Sequence, residues 1–77
     1  MKAYLFIGTQ TNEEQNIIDQ IVKFPEIKRA DIVFGEWDII ALIEVSSPEA
    51  LGKFVIEKIR AIPEVDNTYT MILWSKD

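Results

Sequence analysis

The tripeptide Pro25-Glu26-Ile27 returns 38 positions later as Pro63-Glu64-Val65, and no other feature constrains the fold of this 77-residue chain so strongly. At the same offset Ile18 matches Ile56, Ile21 matches Ile59 and Phe24 matches Ile62. Proline lacks the N–H that a helix needs and disfavours helical geometry in the residue before it. Each repeat is therefore a helical segment that stops at a proline and passes into an extended one. Each also starts with an apolar run of strand length: Ala3-Tyr4-Leu5-Phe6-Ile7, ending at Gly8, and Ile39-Ile40-Ala41-Leu42-Ile43-Glu44-Val45. Two βαβ units in tandem give the order β-α-β-β-α-β.

Local chemistry marks the element ends. Thr11-x-x-Glu14 has the form of a capping box, in front of an apolar stripe of Ile17, Ile18, Ile21 and Val22 that ends at about Phe24. Ala30, Ile32 and Phe34 alternate with Asp31 and Val33, which predicts a second strand with one more polar face. Gly35-Glu36-Trp37-Asp38 is a turn, its glycine free to take positive φ. Ser47-Pro48-Glu49 starts the second helix, with serine as cap, proline in the first turn and an acid at the positive end of the dipole. Leu51, Phe54, Val55, Ile59 and Ile62 form its stripe, and Thr68 to Trp74 predicts a final strand.

Interleaving the two units gives an α+β, ferredoxin-like split-βαβ sandwich: one four-stranded antiparallel sheet with both helices on one face. The first and third strands are then central, and these are the two with unbroken apolar runs. Side chains alternate between the two faces of a strand, so the helices cover only half of that apolar surface. Stacking of the sheet on a second copy covers the rest and predicts a homodimer. Composition points the same way. A chain this short leaves little stability margin from its own core. It has no Cys for disulfides, neither Cys nor His for zinc, and 48% hydrophobic residues.

The formal net charge of −5 and the scattered lysines and arginines argue against a nucleic-acid partner. No run is long and apolar enough to span a membrane, and no signal-peptide pattern follows Met1-Lys2. A soluble, cytoplasmic chain forming one domain over residues 1–77 is expected. Catalytic residues are not expected: there is no His base or Cys nucleophile, and Ser46, Ser47 and Ser75 have no visible base. Glu13-Glu14 suit a first helical turn, and Glu36 and Asp38 suit a solvated hairpin. No dense acidic loop indicates calcium, and Gly8, Gly35 and Gly52 are too far apart for a phosphate loop. No metal or cofactor is expected. Trp37 in the tight turn packs on a neighbouring subunit, walls a ligand pocket or folds back onto its own domain. Trp74 reads as an anchor on a sheet face or interface.

Three local patterns resemble one family. Gly35-Glu36-Trp37-Asp38 before Ile39–Val45 is similar to the Gly-x-aromatic-Asp hairpin of the Lrp/AsnC transcription factors. Ile62-Pro63-Glu64-Val65 followed by Thr68-Tyr69-Thr70-Met71-Ile72 resembles that family's closing turn and Thr-x-Thr strand. Phe24-Pro25-Glu26-Ile27 resembles its first helix-to-strand junction. The likeness covers essentially the whole chain and corresponds to the family's C-terminal effector and oligomerisation (RAM) domain, with no helix-turn-helix domain in the sequence.

The resemblance implies a stand-alone, amino-acid-responsive regulatory module. Such domains dimerise through their sheets, and dimers assemble further, commonly into octamers, with amino-acid effectors between dimers. It implies Gly35, Trp37, Asp38, Thr68 and Thr70 as ligand-binding positions. Gly35 would admit the effector to backbone N–H groups, Asp38 would pair with its ammonium, the threonines would hydrogen-bond it, and Trp37 would pack on it or on the adjacent dimer. For Asp38 and the threonines, turn capping and strand propensity stand as the alternative. It further implies mixed assemblies with full-length regulators. Two other classes share the fold: cofactor-free monooxygenases or isomerases, for which the catalytic residues are wanting, and ACT-type amino-acid-binding domains, which usually occur fused to an enzyme.

Overall fold

The computed structural model describes residues 1–10 and 12–74. Strand β1 (Lys2–Thr9) leads to helix α1 (Glu14–Ile21), strands β2 (Ile27–Ile32) and β3 (Ile39–Glu44), helix α2 (Pro48–Phe54) and strand β4 (Val65–Ile72). The sheet is antiparallel in the order β2-β3-β1-β4, so β1 and β3 are central, as their apolar runs predict. Register sets the faces. Leu5 lies opposite Ala41 on one side and Thr70 on the other, and Phe6 lies opposite Ile40 and Tyr69. Ala3, Leu5, Ile7, Ile39, Ala41 and Ile43 share one face, and there they form a single core with Ile17 and Ile21 of α1 and Leu51 and Phe54 of α2. Both helices therefore cover the same face. Phe24 and Phe54 meet edge to face with centroids 5.6 Å apart, closing the core at one end. Every buried side chain among the described residues is apolar.

The 38-residue repeat is realised as matching hydrogen bonds. The Phe24 N–H donates to Ile21 O at 3.0 Å and the Ile27 N–H to Phe24 O at 3.1 Å. The Ile62 N–H donates to Ile59 O and the Val65 N–H to Ile62 O, both at 3.1 Å. The prolines at 25 and 63 thus end their helices in the same turn, and the next apolar residue opens β2 or β4.

Several boundaries differ from expectation. The second strand runs from Ile27 to Ile32 and not from Ala30 to Phe34. Its last pair is Ile32 with Ile39, where β3 begins, so Phe34 has no strand to pair with and stands fully exposed. The last strand begins at Val65 and ends at Ile72, ahead of Trp74. Helix α1 ends at Ile21, short of Phe24, and Val22 is exposed and not part of the buried stripe. Its N-cap is Glu13, whose side chain makes no capping hydrogen bond; Thr11, the capping residue expected from the sequence, lies outside the described residues. The second helix is as expected at its start, where Ser47 Oγ accepts the Ala50 N–H at 3.1 Å and Pro48 occupies the first turn. Beyond Phe54 it widens into a π-helical turn over Val55–Ile59, closed by the Arg60 N–H on Val55 O at 2.8 Å. Val55 and Ile59, at its two ends, are buried in the core, and Ile56 is exposed.

Candidate functional site

The sheet face opposite the helices carries Tyr4 and Phe6 of β1, Ile40 and Leu42 of β3, Tyr69 and Met71 of β4, and Arg29 and Asp31 at the β2 edge. Tyr4, Tyr69 and Met71 are exposed, and Phe6, Ile40 and Leu42 are half-buried. Arg29 Nε donates to Asp31 Oδ2 at 2.7 Å. That hydrogen bond first, and the Asp31 charge second, raise the Arg29 pKa above its ordinary value. A shallow groove of about 300 Å³ lies among Tyr4, Arg29, Asp31, Ile40, Ala41 and Leu42.

At one end of this face the β2–β3 hairpin is tied down by Asp38. The Val33 N–H donates to Asp38 O at 2.9 Å and closes the loop around Gly35, whose φ of 125° suits glycine alone. The Asp38 N–H donates to Ile7 O at 3.1 Å. One residue pair beyond the end of the β1–β3 ladder, Asp38 Oδ2 accepts the Thr9 N–H at 2.9 Å, where a strand carbonyl would otherwise be needed. Thr9 Oγ1 in turn donates to Glu64 O at 2.6 Å. The pairing jumps here from Gly8–Asn67 to Thr9–Val65, leaving Asp66 as the extra residue of a bulge. Asp38 and Thr9 thus join the hairpin, β1 and the start of β4 into one corner.

Trp37 folds back over this corner. Its ring lies 6.2 Å from Phe6 and 6.3 Å from Tyr69, nearly parallel to the latter at 23°, and Phe6 lies 6.1 Å from Tyr69. Gly8 makes room: a Cβ there would fall 2.1 Å from Asn67 Oδ1 and 3.6 Å from Trp37 Cε3. Of the readings open for Trp37, the structure realises packing on its own domain. The ring still walls a groove of about 240 Å³ with Phe6, Val33, Phe34, Glu36 and Ile40.

The five expected binding positions do not converge within one chain. Gly35, Trp37 and Asp38 share the hairpin. Thr68 and Thr70 lie opposite Ile7 and Leu5, whose side chains face the helices, so both belong to the other side of the sheet from Trp37. Thr70 lines a separate groove of about 260 Å³ between α2 and β4, with Pro48, Leu51, Gly52, Val55, Ile56 and Ile72. Phe6, Gly8, Thr9, Asn67 and Tyr69, which build the corner, were not singled out by sequence reasoning. Strand parity groups Tyr4 with Phe6 and Tyr69 with Met71, but only the register brings Phe6 and Tyr69 beside each other and beside Trp37. Among the described residues no group of three potential ligands is placed to hold a metal ion, and no helix is long and apolar enough to cross a membrane.

Comparison with known proteins places this architecture. The family model described as the Lrp/AsnC ligand binding domain matches residues 2–76. An uncharacterised HTH-type transcriptional regulator of Pyrococcus furiosus is 41% identical over 59 residues, which are 77% of this chain and 39% of that protein. The curated relatives are longer regulators, of which the chain spans less than half. A hypothetical protein from Pyrococcus horikoshii superposes with a TM-score of 0.88 at 32% identity, covering 97% of this chain and 92% of its own. A transcriptional regulator from Neisseria meningitidis, solved as a complex with L-Met, has the same fold, with a TM-score of 0.88 at 14% identity over 97% of this chain and 50% of its own. With the family model matched from the first strand to the last, the chain belongs to the Lrp/AsnC ligand-binding domain family.

Proposed function

We propose that this chain is an amino-acid-responsive regulatory module that works as an assembly of copies of itself. The observation that carries the reading is the match to a ligand-binding domain over residues 2–76. The bound L-Met of the Neisseria regulator supports an amino acid as the class of effector. The relatives' names as transcriptional regulators favour a regulatory role over an enzymatic one.

The geometry supports a site completed by more than one chain. Asp38 uses Oδ2 on Thr9, while Oδ1 has no hydrogen-bond partner among the described residues and is available to an α-ammonium. Gly35 leaves the hairpin backbone open to a carboxylate. Thr68 and Thr70 lie across the sheet from Trp37, so in this reading they act on an effector held against the hairpin of another copy. The apolar face from Tyr4 to Met71 is the surface for the first partner, sheet on sheet, and dimers then join into a higher oligomer, with an octamer expected. Such an assembly, cytoplasmic and free of direct DNA contact, would modulate full-length regulators by mixing with them.

Calorimetric titration of the protein with each standard amino acid tests the reading. Heat with at least one of them, lost in Asp38→Asn, is expected. No heat with any of them, or a chain that light scattering shows to be a strict monomer, refutes it.

A further inference from the structure

One register pair of the sheet joins two residues that strands disfavour: Gly8 of β1 lies opposite Asn67 of β4. Glycine inside a strand marks a place where another group comes close to the backbone. Here that group is the Asn67 side chain, since a Cβ on Gly8 would fall 2.1 Å from Asn67 Oδ1 and 3.2 Å from its Cγ. The pair shares the parity of Phe6 and Tyr69, so Asn67 belongs to the Trp37 side of the sheet. Its neighbour Thr68 lies opposite Ile7 and belongs to the helical side. The bulge at Asp66 comes immediately before Asn67, and bulges re-aim the side chains next to them. The amide is unused. Side-chain hydrogen bonds at this corner join Thr9 to Asp38 and Glu64, and Gln10 to Asp66; among the described residues Asn67 takes part in none.

We infer that Asn67 is an effector-binding residue, whose amide donates to the α-carboxylate of the amino acid while Asp38 Oδ1 accepts its α-ammonium. This rests on the reading of the chain as an amino-acid-responsive module and adds a binding residue to that site. Asp38 stands one pair beyond the β1–β3 ladder, beside Gly8 on one flank, and Asn67 stands beside Gly8 on the other. Gly8 has no side chain, so nothing from β1 stands between the two polar groups. The Asn67 amide leans over β1, and one strand spacing, roughly 4.8 Å, separates that strand from the strand of Asp38. An amino acid carries its ammonium and carboxylate on one carbon, so a head group held across this spacing reaches both. Chemistry assigns the ends. The Asp38 carboxylate only accepts and repels a second carboxylate, whereas Asn67 Nδ2 donates. With Oδ1 turned onto Gly8, Nδ2 is the end turned away from the strand. A carboxylate has two oxygens, so Asn67 and the hairpin backbone beside Gly35 serve it together. Trp37 walls the space, its Cε3 lying 3.6 Å from where the Gly8 Cβ would be.

The test is calorimetric titration with each of the twenty standard L-amino acids, followed by titration of the strongest binder into Asn67→Ala, Asn67→Asp and Gly8→Ala. Asn67 is exposed, and the Gly8 methyl would meet only the free end of a flexible side chain, so thermal melts of all three should stay close to the wild type. Asn67→Ala should bind at least about tenfold more weakly, the loss of one hydrogen bond to a charged group. Asn67→Asp keeps the shape and the oxygen over Gly8 but replaces the donor by a negative charge, and should bind more weakly still. Gly8→Ala keeps Asn67 but displaces its amide, and should weaken binding in the same direction. Wild-type affinity in any of the three overturns the inference. Tighter binding by Asn67→Asp also overturns it, by turning the amide toward the ammonium. Light scattering is run on each variant, and weaker binding together with a smaller mass overturns it by assigning Asn67 to a contact between copies. In all these cases the wild type still binds an amino acid and the proposed function stands; no heat with any of the twenty overturns both.

Discussion

Replacing Asp38 by alanine and, in parallel, by asparagine separates its structural bonds from any role in ligand recognition. Asp38 Oδ2 is the acceptor for the partly buried Thr9 N–H at 2.9 Å, at a point where the strand ladder has ended. The alanine variant keeps the Asp38 main-chain bonds to Ile7 and Val33 but leaves the Thr9 N–H without its acceptor. A hydrogen bond to a charged group contributes about 1.5–3 kcal/mol, and part exposure of this corner puts the loss near 1.5 kcal/mol. For a domain of this size 1 kcal/mol corresponds to about 4–8 °C in Tm, so Asp38→Ala should melt roughly 6–12 °C below the wild type. Asp38→Asn retains an oxygen in the same place and should lose less than half as much, while an effector ammonium would still lose its counter-charge. Thermal unfolding followed by circular dichroism, at one fixed protein concentration so that assembly does not shift the midpoint, reads both. An Asp38→Ala melt within 2 °C of wild type, taken as the scatter of ~0.3–0.5 kcal/mol, refutes the ladder-end role. An Asn variant that melts near the wild type and still gives full heat with an effector would leave Asp38 as a structural residue alone.

Two further outcomes test the frame that holds this corner. Leu5→Ala empties a fully buried position in a central strand and should cost about 2–5 kcal/mol, enough to unfold much of the protein at 37 °C; denaturant titration gives the midpoint, and a loss below 1 kcal/mol would contradict the packed core. Ser47→Ala removes the oxygen that accepts the Ala50 N–H and should cost about 1 kcal/mol, with Ser47→Asp restoring most of it in the same melts.

How much of this was readable in advance differs from element to element. The repeat of Pro-Glu-apolar marked both helix ends, because proline acts through its own backbone and needs no distant partner. Ser47-Pro48 marked the start of α2 for the same reason. Phe34 was misplaced in a strand because its alternation with Ile32 is a local signal, whereas pairing depends on where β3 begins; the structure ends the ladder at Ile32–Ile39. The π-helical turn left no trace in the apolar spacing, since Val55 and Ile59 also satisfy an ordinary helical stripe. At the candidate site, the Gly-x-aromatic-Asp pattern singled out Trp37 and Asp38. That Trp37 stacks on Tyr69 while Thr68 and Thr70 point the other way follows from the registry of β1 with β4, which no short motif encodes.

By itself the sequence determined the element order, which strands are central and that one sheet face would lack a cover. Each of these follows from periodicity and from residues with strong local preferences. Tertiary structure decided the rest: the bulge at Asp66, the use of the Asp38 carboxylate as the end of the ladder, the aromatic triad over Gly8, and the division of the five expected binding positions between two faces. The physical reason is that a side chain's face is settled by its own strand, but its neighbours are settled by the register of others.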